Sequence, residues 1–294
     1  MYTKTVLGNG LRVITSAMPH SRSVCIAILV GTGSCYEGEE EAGISHFAEH
    51  IFFKGTERRP TAKEISQEIE GVGGIINAGT EKEATIFWCK VTSPHFSIAL
   101  DVLSDILFNS RFDGKDIEQE RRVIIEEINM NLDSPQRRVG MLIDELLWPK
   151  QPLGSEILGS KETVTSITRK QMLDYVARRY LPNNTVISIA GDIQPEEAIA
   201  RIETLFSNWI VGELSSGYLA NAEQTTARLH IESRDSEQAH LCLAVHGFSH
   251  SHPQRFALDL LNAVLGEGMS SRLFTEIREH RGLAYDIHSY VEHF

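Results

Sequence analysis

No stretch of the 294-residue chain approaches the roughly 18–20 consecutive apolar residues that a membrane-crossing helix needs. The opening, MYTKTVLGNGLRVITSAMPH, lacks the apolar centre of a secretory signal and instead alternates like a strand around an Asn-Gly turn. Together these absences predict a cytoplasmic protein with no membrane partner. Basic residues are also in short supply: 28 Lys and Arg against 40 Asp and Glu leave a net charge of −12. Such a chain is a poor partner for a phosphate backbone, so no nucleic acid is expected, and the acidity reads first as solubility. Cysteine is sparse and scattered, at Cys25, Cys35, Cys89 and Cys242. With no C-x-x-C pair, neither a zinc knuckle nor a disulfide framework is indicated, and the four read as reduced, buried thiols.

What is present is ordinary in bulk, with 41% hydrophobic and 23% charged residues, and long enough for two domains. TVLGNGLRVITSAM and SVCIAILVGTGS read as strand, turn, strand, strand. Helices are predicted over Gly43 to Phe53, and over Ala62 to Glu70 with Pro60 and Thr61 at its start. GVGGIINAGT breaks the helical period before the strand EATIFWCKV. Helices follow at 94–109, 115–131, 136–147 and 168–180. The strand NTVISIAGDI and the helix PEEAIARIETLF, with Pro at its first turn, complete this part. Residues 1–210 form one expected domain and 211–226 a Gly/Ser-containing linker.

After the linker the order of elements returns: QAHLCLAVHGFS as a strand, a long helix, Gly-rich LGEGMSS leading to a second helix, then GLAYDIHSYVEHF as a strand. Residues 227–294 are therefore expected to be the first part of a homologous second domain that stops mid-strand, as in a fragment.

Chemistry concentrates in ISHFAEHIFF, where His46, Glu49 and His50 interrupt an apolar helix. Burying such groups without partners is expensive. At 3.6 residues per turn the two histidines share a face, and two imidazoles at i and i+4 can grip one zinc ion while the adjacent carboxylate reaches a water. Chance produces H-x-x-E-H in roughly one chain in twenty of this composition, so a third ligand is needed. KDIEQERRVIIEEINMNL offers Glu120, Glu126 and Glu127. By 100° steps, Glu127 lies roughly 110° and Glu126 roughly 150° from the apolar stripe of Ile117, Ile124, Ile125, Ile128 and Leu132. Glu127 is thus the expected ligand, Glu120 its supporting carboxylate one heptad earlier, and Glu126 solvated. The remaining histidines do not compete. His246, His250 and His252 fall in a loop ending at proline, and His20, His95 and His280 have no partner at ligand spacing.

ISHFAEHIFFKGT, NAGTEKEATIFW and ERRVIIEEI together resemble the pitrilysin-type zinc peptidases with the inverted H-x-x-E-H motif, in their processing-peptidase branch. The family spacing of some seventy-six residues from the second histidine falls on Glu127, and its further glutamate falls on Glu120. The resemblance implies an α+β fold of two homologous domains, each a mostly antiparallel sheet flanked by helices, closing like a clamshell. It implies a zinc-dependent endopeptidase with one zinc per site and Glu49 as general base. Peptide substrates would add as a strand at Asn77 and Ala78. Arg278 and Tyr285, in GMSSRLFTEIREHRGLAYDI, match the residues that reach the substrate carbonyl. A second copy of the chain or a paralogue is the expected protein partner. A non-catalytic peptide-binding subunit is the alternative.

Overall fold

The computed structural model describes residues 2–214 and 218–294. They divide into two compact units, the first ending at Cys242 and the second running from Leu243 to Phe294.

The first unit is built on one six-stranded sheet. Its strands are β1 (Thr3–Val6), β2 (Arg12–Ala17), β3 (Ser23–Val30), β4 (Ile75–Thr80), β5 (Thr85–Thr92) and β6 (Thr185–Gly191), in the order β1-β2-β6-β3-β5-β4. All neighbours are antiparallel except β2 and β6. The Asn-Gly turn closes the β1–β2 hairpin, where Gly10 has φ +79°. Alternation sets the faces: Val24, Ile26, Ile28 and Val30 of β3 are buried, as are Phe87, Cys89 and Val91 of β5 and Ile187 and Ile189 of β6. The intervening positions of β3 and β6 are half-buried, the pattern of a sheet with one face against a core.

Helices pack on the sheet and on one another. They are α1 (Ile44–Phe52), α2 (Ala62–Glu70), α3 (Phe96–Asn109), α4 (Gly114–Asp133), α5 (Pro135–Leu147), α6 (Lys161–Ser166), α7 (Arg169–Arg179) and α8 (Pro195–Phe206). Thr61 and Glu64 form a capping box at the start of α2, which satisfies two otherwise free N–H groups. Alpha-helix α3 lies on the sheet with Leu100, Leu103 and Ile106 buried. The core gathers around Phe52, whose ring meets those of Phe87, Phe112 and Tyr180 at 5.2 Å each. Helix α6 was not expected from the sequence. Its six residues are held by a Ser160–Thr163 capping box and are too few to show a helical period.

Residues 218–242 belong to the first unit and run along α5. The Arg138 guanidinium pairs with Glu232 at 2.9 Å, and Arg228 donates to the Leu146 carbonyl at 2.6 Å.

The second unit contains α9 (Arg255–Leu265) and a π-helical stretch, Phe274–His280. Ser289 ties back to Asn262 and Gly266. The two strands expected in 238–249 and 282–294 are absent among the described residues. A strand persists through ladder bonds to a neighbour, and neither segment has one. Leu241, Leu243 and Val245, the alternating apolar positions of the first, are 92%, 91% and 83% exposed. Among the described residues, no helix is long and apolar enough to cross a membrane. All four cysteines are free, Cys35 and Cys89 buried and the other two half-buried.

Candidate metal centre

Helix α1 is nine residues long and buries Ile44, Ser45, Phe47, Ala48, Ile51 and Phe52. That stripe turns His46, Glu49 and His50 toward α4 and β4. Helix α4 answers with its own stripe, Ile117, Glu120, Ile124 and Ile128, all buried. One residue before Ile128, Glu127 therefore stands at the core margin with its side chain 33% exposed, whereas Glu126 is exposed.

The two histidines and Glu127 converge. Nε2 of His46 and Nε2 of His50 each lie 3.8 Å from the same Glu127 oxygen, Oε2. One ligand atom from each of the three residues falls within 4.8 Å of the others. At 3.8 Å these pairs are too long for hydrogen bonds. Around a tetrahedral zinc with ligands at ~2.0–2.1 Å, donor atoms stand about 3.3 Å apart, so the two pairs at 3.8 Å need to close by about half an ångström. Two imidazoles and one carboxylate are also the donor chemistry of a catalytic zinc with its fourth position open. The residues fit such an ion.

The surrounding groups orient these donors. Glu120, 5% exposed, places Oε2 3.0 Å from Nδ1 of His50. A carboxylate there selects the tautomer with the proton on Nδ1 and leaves the Nε2 lone pair facing Glu127. The other Glu120 oxygen meets Nζ of Lys54 at 2.5 Å, so the buried carboxylate is compensated. Burial, with a smaller contribution from His50, pushes His46 down to about 4, which keeps it neutral and able to ligate at pH 7. Its Nδ1 is buried without a hydrogen-bond partner.

Glu49 is met by Thr80 at the end of β4, whose hydroxyl donates to its Oε2 at 2.6 Å. Burial raises the Glu49 carboxyl above the ordinary range, with the Thr80 hydroxyl pulling the opposite way. A general base benefits from such an upward shift, since its proton affinity moves toward the working pH. Strand β4 is an edge of the sheet. Asn77 and Ala78 lie on it, opposite Trp88 and Phe87 of β5. The edge thus ends at the residue that holds Glu49.

Arg278 and Tyr285 stand in the second unit, where the guanidinium lies over the phenol ring at 4.9 Å and over Phe274 at 4.6 Å. Tyr285 is 84% exposed. The loop histidines make local contacts: His252 stacks on Phe248, and His250 lies 5.6 Å from the ring of His293.

Three residues of the site went unnoticed in the sequence: Thr80, Lys54 and Glu37. Thr80 and Lys54 sit inside NAGTEKEATIFW and ISHFAEHIFFKGT, so proximity to the motif was a usable signal. Glu37 reaches the start of α1 from an acidic loop, and nothing in its spacing marks it. Its Oε2 accepts from the Gly43 N–H at 2.7 Å and its Oε1 from the Ser45 N–H at 2.8 Å.

Residues 12–161 match the family described as Insulinase (Peptidase family M16), and residues 166–294 match Peptidase M16 inactive domain. An uncharacterized zinc protease of Bacillus subtilis, YmxG, is 40% identical over 96% of this chain and 68% of its own length. Another from Mycobacterium leprae is 38% identical over 99% of this chain and 66% of its own. The chain thus spans about two thirds of these relatives. Among solved structures, a protease from Helicobacter pylori superposes with a TM-score of 0.83 at 20% identity, covering 99% of this chain and 71% of that one. A Pseudomonas fluorescens peptidase M16 inactive domain gives 0.82 at 17% identity, with 100% and 71% covered.

Proposed function

Because this chain belongs to the insulinase (M16) family of peptidases, we propose that it is a zinc-dependent endopeptidase acting on peptides or flexible protein segments. The observation that carries the reading is the convergence of His46 and His50 on one oxygen of Glu127, with Glu49 on the same helix. His46, His50 and Glu127 would hold the ion. When bound, zinc would acidify water and polarise a carbonyl.

The remaining work falls to the chain's own residues. Glu49, its proton affinity raised by burial, takes a proton from the attacking water and returns it to the leaving amine. Thr80 keeps the Glu49 carboxylate aimed, and Glu120 keeps His50 in the ligating tautomer. Substrate adds in an extended conformation along the β4 edge, meeting the backbone at Asn77 and Ala78. Backbone pairing supplies affinity without demanding sequence. Arg278 and Tyr285 are assigned to the developing oxyanion, where fixed donors contribute most.

The same proposal takes residues 1–210 as the metal-binding domain and 227–294 as part of a homologous second one, with a second copy or a paralogue as partner. The match of 166–294 to the M16 inactive domain supports the second assignment, and also favours one alternative, a peptide-binding subunit without catalysis.

Zinc analysis and a quenched-fluorescence peptide test both. Wild type should carry one zinc and cleave. Glu49→Gln should keep the zinc and cleave ~10²–10⁴-fold more slowly. Equal cleavage by both removes Glu49 as base, zinc without any cleavage selects the binding subunit, and absence of zinc ends the metal reading.

A further inference from the structure

Helix α1 begins without a cap of its own. Its N-cap is Gly43, which has no side chain to offer and sits at φ +93°. Only glycine adopts that conformation freely, and a Cβ there would also meet the Leu158 carbonyl at 2.5 Å. The first N–H groups of a helix have no intrahelical acceptors, and at a buried end they need others. Glu37 supplies them from outside the helix, one oxygen to Gly43 and one to Ser45.

Ser45 is fixed a second time. Its Oγ lies 2.6 Å from the Tyr175 hydroxyl of α7, which lies 2.9 Å from Oγ1 of Thr32, just beyond β3. All three side chains are buried. The next residue in the chain is His46. Nine residues make a helix that water alone would not sustain, so its first turn depends on these anchors. The second histidine has its own support one turn later, through Glu120 and Lys54. Among the described residues the Nδ1 of the His46 ring has no hydrogen-bond partner. Its placement follows from the backbone beneath it.

We propose that Glu37 is a positioning residue of the metal centre: by accepting the Gly43 and Ser45 N–H groups it fixes the first turn of α1, and thereby the direction in which His46 faces Glu127. The inference rests on the zinc reading above. Metal sites tolerate only about half an ångström of ligand displacement, so a loosened first turn lowers the contribution of His46 while His50 and Glu127 stay in place. Glu41 of the same loop does not share the role, since it pairs with Arg178 at 2.9 Å.

The test compares wild type, Glu37→Ala, Glu37→Gln and Glu41→Gln. Zinc affinity is read by competition with a chromophoric chelator and the ligand set by the visible spectrum of the cobalt-loaded protein. Circular dichroism and thermal unfolding report the fold. Glu41→Gln should match wild type. Glu37→Ala should bind zinc ~10–100-fold more weakly, the range for groups that orient a ligand, with an altered cobalt spectrum and a native dichroism. Glu37→Gln, which keeps one acceptor oxygen, should fall between. A Glu37→Ala protein that melts earlier yet binds zinc as wild type does would show a structural cap only and overturn the proposal. If that variant does not fold, Glu37→Gln decides by the same criterion. Wild type without zinc affinity would instead remove the metal reading itself.

Discussion

Glu37 should also leave a signature in the pH dependence of folding. Burial raises its carboxyl from an ordinary value of 4.5 to about 7, against the pull of the Ser45 and Gly43 donors and with help from nearby Glu41. Between those two pH values the native state holds the proton more tightly than the unfolded chain. The group's contribution to stability is therefore complete below pH 4.5, declines through the interval, and is gone once the pH has risen past 7. At ~1.4 kcal/mol per pH unit the interval amounts to roughly 3 kcal/mol. The assay is urea unfolding of zinc-free wild type and Glu37→Gln at pH 5 and pH 8. Taking the difference between the two proteins at each pH cancels the other titrating groups. Wild type should gain on the variant by about 2–3 kcal/mol in moving from pH 8 to pH 5. A difference that changes by less than about 1 kcal/mol, or in the opposite sense, would refute the claim that this carboxylate is buried and ionises against the fold.

Three further outcomes are expected. Glu120→Ala should weaken zinc binding ~10–100-fold in a chelator competition, because His50 loses the acceptor at 3.0 Å that fixes its tautomer. Glu127→Gln should lose zinc while Glu126→Gln retains it; measured metal content decides, and the reverse order would misplace the third ligand. Phe52→Ala should lower unfolding free energy by about 3–5 kcal/mol, since the ring is 1% exposed and touches three other aromatic rings.

Local signals carried much of the fold. The Asn-Gly turn, Pro60-Thr61 before α2 and the Pro at the start of α8 each mark a boundary by their own chemistry, and the structure has elements there. Helix phase separated Glu127 from Glu126 because α4 is long and its stripe unbroken. Where the sequence was mute, the cause was distance along the chain. Lys54 beside Glu120, Thr80 beside Glu49 and Glu37 beneath Ser45 acquire their roles only when separate elements pack. Alternation in 238–249 is a preference for extension, and extension becomes a strand only beside a partner.

The β4 edge carries one more detail. The Ala78 N–H, on the outermost strand, donates to Oδ1 of its neighbour Asn77 at 2.9 Å. An open row of amide donors invites stray chains to dock and aggregate. Here the side chain acts as a latch over one of them. A peptide pairing along this border, as proposed above, would first have to displace that amide oxygen from the Ala78 N–H, so weakly held chains would be turned away before they gained a ladder.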